Sequence, residues 1–166
     1  DPNTSQEYTD AVQVLYSLSY TLKFYIKHNN LGSDYTVLPL EGLWWIDDME
    51  KFKTAKKDDW LWTAMIRQPD FITQEQINTA IDLVREKNNP TKLESVRFKS
   101  FTEGSVVQVM YIGPYSDEGP TIEKMHQFAV DNGYRLRDKH HEIYLSDPRR
   151  AKPEKLKTVI RQPVTK

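Results

Sequence analysis

Ile66-Arg67-Gln68-Pro69 recurs 94 residues further on as Ile160-Arg161-Gln162-Pro163. The segments leading to the two copies also follow one order: a helix-patterned stretch, an extended run, a charged loop and a second extended run. The echo is therefore architectural and not a chance match of four letters. Before the first copy, Tyr8, Ala11, Val12, Leu15, Leu18, Leu22 and Ile26 fall at helical spacing behind Thr4-x-x-Glu7, a capping-box pattern. This predicts a helix from about Ser5 to Lys27, stopped by Asn29-Asn30-Leu31-Gly32. Residues 35–46 (YTVLPLEGLWWI) read as a strand, placed at a sheet edge or bulged by Pro39 and Gly42. A charged loop at 47–59 separates it from a second strand, 60–67 (WLWTAMIR), which Pro69 closes; the lysine-rich part of that loop, 51–57, reads as solvated.

Before the second copy, Ser105 to Ile112 is extended, and Gly119-Pro120 opens a helix carrying Ile122, Met125, Phe128 and Ala129 to a stop at Gly133. Strands follow at His140 to Ser146 and Lys157 to Val164. Here a strand precedes the helix, so each half is a strand-helix-strand-strand unit, and the leading strand of the first half is expected upstream of Asp1. Between the halves, Thr73-x-x-Gln76 caps a connecting helix ended by Asn88-Asn89-Pro90. Leu93–Phe101 and Ser105–Ile112 read as a hairpin turning at Glu103-Gly104. The predicted fold is α+β: one domain over 1–166, with halves of about 1–70 and 105–164 and a connector at 71–104. Its antiparallel sheet carries helices on one face and a ligand cleft at the pseudo-two-fold axis.

Composition narrows the function. With 166 residues, one domain is the natural size, and 19 aromatic residues supply a core. Twenty-three basic against 24 acidic residues leave a net charge of -1, so no electrostatic footprint for nucleic acid or anionic lipid exists. The absence of cysteine removes thiolate catalysis, disulfides and sulfur-ligated zinc, and fits a cytoplasmic protein. No apolar run reaches the length of a membrane span. His140 and His141 are adjacent, so a regular strand points them to opposite faces and they cannot chelate one metal. No metal or cofactor is implied, and a monomer is the expected state.

Alternation along His140–Ser146 puts His140, Glu142 and Tyr144 on an ionisable face and His141, Ile143 and Leu145 on the other, apolar one. Such a polar face is ordinarily solvated. The alternative, a carboxylate among aromatic rings, gains from Trp44, Trp45, Trp60 and Trp62, four tryptophans within 19 positions. Tyr111 and Tyr115 bracket Ile112-Gly113-Pro114 where a strand passes into a helix. No phosphate loop, nucleophile elbow or dinucleotide fingerprint is present.

Tyr111-Ile112-Gly113-Pro114-Tyr115, Gly133-Tyr134, the run 141–150 (HEIYLSDPRR), the run 153–158 (PEKLKT) and the closing Arg161-Gln162-Pro163-Val164 together resemble the GyrI-like small-molecule-binding family. The resemblance implies the same duplicated unit and maps the family's Glu-x-Tyr pattern onto Glu142 and Tyr144, with the glutamate central to the pocket. GyrI-like domains occur as effector-binding halves of multidrug-sensing transcription regulators, as gyrase-inhibitor proteins and as standalone bacterial proteins. Some standalone members resemble hydrolases that open the cyclopropane of DNA-alkylating antibiotics of the yatakemycin and CC-1065 type, and the Trp-rich first half is most similar to these. On that likeness Glu142 orients or deprotonates a water, and Tyr111, Tyr144 or Tyr115 donates to a developing phenolate. Trp44, Trp45, Trp60 and Trp62 stack on a flat drug, with His140 beside them. The alternatives are a non-catalytic drug-sensing module and a gyrase-inhibitor-like interaction protein, the latter presenting an exposed acidic patch.

Overall fold

The fold is taken from a computed structural model that describes residues 4–49 and 55–166. In chain order the elements are α1 (Gln6–His28), β1 (Leu40–Trp45), β2 (Leu61–Ile66), α2 (Gln74–Asn88), β3 (Val106–Ile112), α3 (Gly119–Asp131), β4 (Arg135–Leu136), β5 (His140–Tyr144) and β6 (Lys157–Thr165). The predicted order of helix, strand, loop and strand is present twice, as α1-β1-β2 and α3-β5-β6. Part of the lysine-rich stretch 51–57 lies outside the described residues. Among the described residues no helix is long and apolar enough to cross a membrane.

The chain divides into two compact units, Asp1–Leu40 with Ala64–Ser100, and Glu41–Thr63 with Phe101–Lys166. In the first, Val14, Leu18, Leu22 and Ile26 recur every four residues along α1. They meet Ile77, Ala80 and Val84 of α2 together with Ile72 and Leu93, all buried. The N-cap of α1 is Ser5 and not Thr4: the Ser5 hydroxyl accepts from the Tyr8 N–H at 3.2 Å. Glu7 is left to pair with Lys92. At α2 the capping box is complete, the Thr73 hydroxyl accepting from Gln76 N–H (3.3 Å) and the Gln76 side chain from Thr73 N–H (2.9 Å). Thr73→Ala removes one of the two bonds and is expected to lower stability by about 1 kcal/mol in chemical denaturation.

The sheet order is β2-β1-β5-β6-β3, with β4 also on β6. Around β6 every pairing is antiparallel, Ile160 lying opposite both Val109 of β3 and Glu142 of β5. Two expectations fail here. β1 is an interior strand shorter than 35–46; Pro39 precedes it, and Gly42 marks a close approach of side chains and not an edge. Residues 93–101 form no strand, because Leu93 turns through a 3-10 helix into the core of the first unit, and the partner of β3 is β6, from the far end of the chain. Gly104 still turns the chain at φ +74°, where a side chain would strike the Arg137 guanidinium.

From the Leu136–Val164 pair to the His141–Arg161 pair, β4 and β5 advance five residues while β6 advances three. That bulge, with Asp138 at φ +53°, falls immediately before His140 and re-aims the next residues. Beside the bulge the Pro163 carbonyl of β6 accepts from Arg137 N–H at 3.0 Å. Buried Met125 and Ala129 of α3 pack the helix against β3 and β6.

Candidate functional site

Strand alternation puts His140, Glu142 and Tyr144 on one face of β5, as the sequence pattern predicts, but that face is not solvated: His140 is 1% and Glu142 8% exposed. A buried carboxylate is tolerated only with hydrogen-bond donors around it. His140 Nε2 approaches Glu142 Oε1 at 2.9 Å, and because a carboxylate only accepts, the imidazole is the donor. Burial pushes the Glu142 carboxyl up, but the polar groups around it, the bond and charge of His140 foremost, outweigh it and hold the group below its usual 4.5. It is a carboxylate at neutral pH.

The aromatic surround comes from two stretches far apart in sequence. The Trp44 indole N–H donates to the Tyr144 hydroxyl at 2.8 Å, and Trp60 leans on Trp44 with ring centroids 6.1 Å apart. Tyr115 meets Tyr144 edge-on at 5.7 Å. Trp44 is 3% exposed and so forms a wall behind Tyr144, whereas Trp60, Tyr111, Tyr115 and Tyr144 are half-buried and keep accessible ring surface. Tyr111 lies opposite Thr158, and Thr158 opposite Tyr144, so the three share this face. The Tyr111 hydroxyl donates to the Pro114 carbonyl at 3.1 Å. Burial, then the charges of Asp117 and Glu118, push its phenol above the usual 10.0.

Not every predicted residue joins this group. Trp45, next along β1, has the Lys139 ammonium 3.2 Å above its ring, and burial lowers the Lys139 pKa. Trp62 is half-buried on the edge strand β2, two residues beyond Trp60.

Gly42 explains how Trp44 reaches Tyr144. A Cβ at position 42 would sit 2.6 Å from the Trp44 indole nitrogen and 3.0 Å from the Tyr144 hydroxyl, so the ring folds back across bare backbone. Gly42→Ala is expected to break the Trp44–Tyr144 bond, cost about 1–3 kcal/mol in thermal or chemical unfolding and change the tryptophan emission.

The other face of β5, read from the sequence as apolar, instead holds a charge network. His141 Nδ1 donates to Glu103 Oε1 at 2.7 Å and Nε2 to Glu41 Oε2 at 2.8 Å. Arg161, directly opposite His141 in register, pairs with Glu103 at 3.0 Å. Two carboxylates are thus matched by an imidazolium and a guanidinium, with Phe101 edge-on to the imidazole at 6.2 Å. Sequence reasoning missed Glu41, Glu103, Glu118 and Arg161. The one available signal was a lone Glu41 inside an otherwise apolar strand, which demands a buried partner.

Among curated proteins none matches the chain. Among solved structures it is similar to an uncharacterised conserved protein from Listeria innocua, at 43% identity and TM-score 0.89 over 99% of this chain and 83% of that one. It is likewise similar to a hydrolase from Listeria innocua, at 42% identity and TM-score 0.83 over 99% of this chain and 82% of that one. A third likeness is to a hydrolase encoded by lin2189 of the same organism, with 42% identity, TM-score 0.85 and the same shares of 99% and 82%. The GyrI-like small molecule binding domain family matches residues 2–165, nearly the whole length, and the chain belongs to that family.

Proposed function

We propose that this protein binds planar aromatic molecules against Glu142 and its surrounding rings and hydrolyses the cyclopropane of DNA-alkylating antibiotics of the yatakemycin and CC-1065 type, as a detoxifying enzyme. The observation that carries the reading is an ionised, nearly buried carboxylate, Glu142, bordered by half-buried aromatic rings. Two 42%-identical structures of hydrolases support a hydrolytic reaction.

A cyclopropane fused to a dienone is already strained and electrophilic, so an enzyme need only position a water and stabilise the phenolate that forms. Glu142 takes a proton from the water as its oxygen bonds to the cyclopropane methylene. The electrons of the breaking C–C bond pass through the dienone to its oxygen, which accepts a hydrogen bond from Tyr144 or Tyr111. Trp60 and Tyr115 offer faces and edges for the flat aromatic units of the substrate.

The test incubates the purified protein with a cyclopropane-bearing duocarmycin-type compound and follows parent and ring-opened hydrate by chromatography and mass. Hydrate forming faster than in buffer is the expected result. Saturable binding without hydrate would overturn the enzymatic reading and leave a drug-binding module in which Glu142 is the counter-charge of a planar cation.

A further inference from the structure

Three hydroxyls lie in register across the sheet on the face that carries Glu142: Tyr111 of β3, Thr158 of β6 and Tyr144 of β5. Their protons have different fates. Thr158 is 0% exposed, so nothing bound on that face reaches it. The Tyr111 hydroxyl donates to the Pro114 carbonyl at 3.1 Å, a backbone acceptor that holds the proton within the protein. Tyr144 is half-buried, and it receives a hydrogen bond where Tyr111 gives one.

An indole nitrogen only donates, so in the 2.8 Å contact between Trp44 Nε1 and the Tyr144 hydroxyl the phenol oxygen accepts. With a lone pair engaged on that side, the phenol proton turns away from Trp44. The same bond polarises the O–H and strengthens it as a donor to an acceptor on its other side. Trp44 is well fixed for this: it is buried, Trp60 leans on it, and bare backbone at Gly42 lets its nitrogen reach the hydroxyl. Tyr115, edge-on at 5.7 Å, borders the Tyr144 ring as well.

We propose that Tyr144 is the donor to the dienone oxygen and that Trp44 is its positioning residue, so that the ligand of this site is a planar aromatic molecule carrying an oxygen acceptor at that point. This rests on the reading that the site opens a dienone-conjugated cyclopropane, and it gives to Tyr144 alone the part which that reading leaves to either tyrosine. As the C–C bond breaks, negative charge gathers on an oxygen that already faces a fixed O–H. The donor therefore stabilises the transition state more than the bound substrate.

The test uses a stable analogue of the duocarmycin-type compound in which two methyl groups replace the cyclopropane, isotope-labelled at the dienone carbonyl. It is bound to wild type, Tyr144→Phe, Tyr111→Phe and Trp44→Phe. Infrared spectroscopy is expected to place the carbonyl stretch in the wild type below that of the analogue in a solvent without donors. Tyr144→Phe should abolish the shift and lower kcat for the cyclopropane compound about 100-fold with KM little changed, the loss typical of one oxyanion donor. Trp44→Phe should weaken the shift and lower kcat about 10-fold or more, since the donor is no longer aimed. An unshifted carbonyl in the wild type, or a shift that Tyr111→Phe removes and Tyr144→Phe keeps, overturns the donor assignment. A shift unchanged in Trp44→Phe overturns the positioning role. If the wild type shifts the carbonyl of the analogue and yet forms no hydrate, the hydrolase reading fails and the donor assignment stands; an analogue that does not bind overturns both. If Trp44→Phe does not fold, Tyr144→Phe, which removes one oxygen from a half-buried ring, still decides the donor, and an indole N–H resonance of Trp44 unmoved in that variant overturns the role of Trp44.

Discussion

Glu142→Gln is expected to lower kcat for opening of a cyclopropane-bearing substrate by between about 100- and 10,000-fold, the range over which a positioned base contributes. Glutamine matches the glutamate in shape and its amide oxygen can still accept from His140 Nε2, so the fold and the aromatic surround should persist and binding should weaken far less than turnover. That split distinguishes loss of a base from loss of a pocket. The wild-type pH profile should agree. With the Glu142 carboxyl held below 4.5 in the fold, the carboxylate survives mild acid, and the acid limb of kcat/KM should fall below that value. An acid limb near neutrality would mean that another group limits the reaction.

Glu103→Ala should be the most destabilising substitution on the opposite face of β5, by about 3–5 kcal/mol in chemical denaturation, because it strips the shared counter-charge from His141 and Arg161 at once. Glu41, at 2.8 Å from the other imidazole nitrogen, cannot reproduce that bridge. The same network gives the wild type an alkaline weakness. Burial pulls the His141 pKa down, but the hydrogen bonds and charges of Glu103 and Glu41 outweigh it and raise the pKa above 6.5. A folded-state pKa above the unfolded one means that the protonated imidazole stabilises the fold fully below 6.5 and that this contribution is lost as pH rises through the higher folded value. Unfolding free energy measured from slightly acid to mildly alkaline pH should decline over that window, and Glu103→Ala should flatten the decline. A slope equally steep in the variant would remove His141 from the account.

What the sequence revealed and what it hid have a common physical cause. Helices and strands with regular apolar spacing were legible because their signal is local: the α1 stripe ending at Ile26, the capping box at Thr73 and the alternation through His140, Glu142 and Tyr144 each need only neighbouring residues. Partners distant in the chain left no such trace. Nothing near Val106 says that its strand joins one from the other end of the chain, so Glu103-Gly104 reads as a hairpin turn. The repeated tetrapeptide makes the point most sharply. Arg67 is exposed beside Asp70, whereas Arg161 is half-buried against Glu103; identical local sequence has two fates set by what lies across the sheet. Glu118 was hidden for a further reason, since an acidic residue ahead of Gly119-Pro120 is also what an ordinary helix start would show.

The central claim is that water, activated at Glu142, opens the ring of a bound aromatic ligand. A single-turnover reaction in heavy-oxygen water, with excess protein over a cyclopropane-bearing duocarmycin-type compound and the masses of both product and intact protein recorded, tests it most directly. The account predicts a hydrate carrying the solvent oxygen and a protein of unchanged mass. Unaltered ligand, or protein bearing the ligand's mass on a side chain, would contradict it.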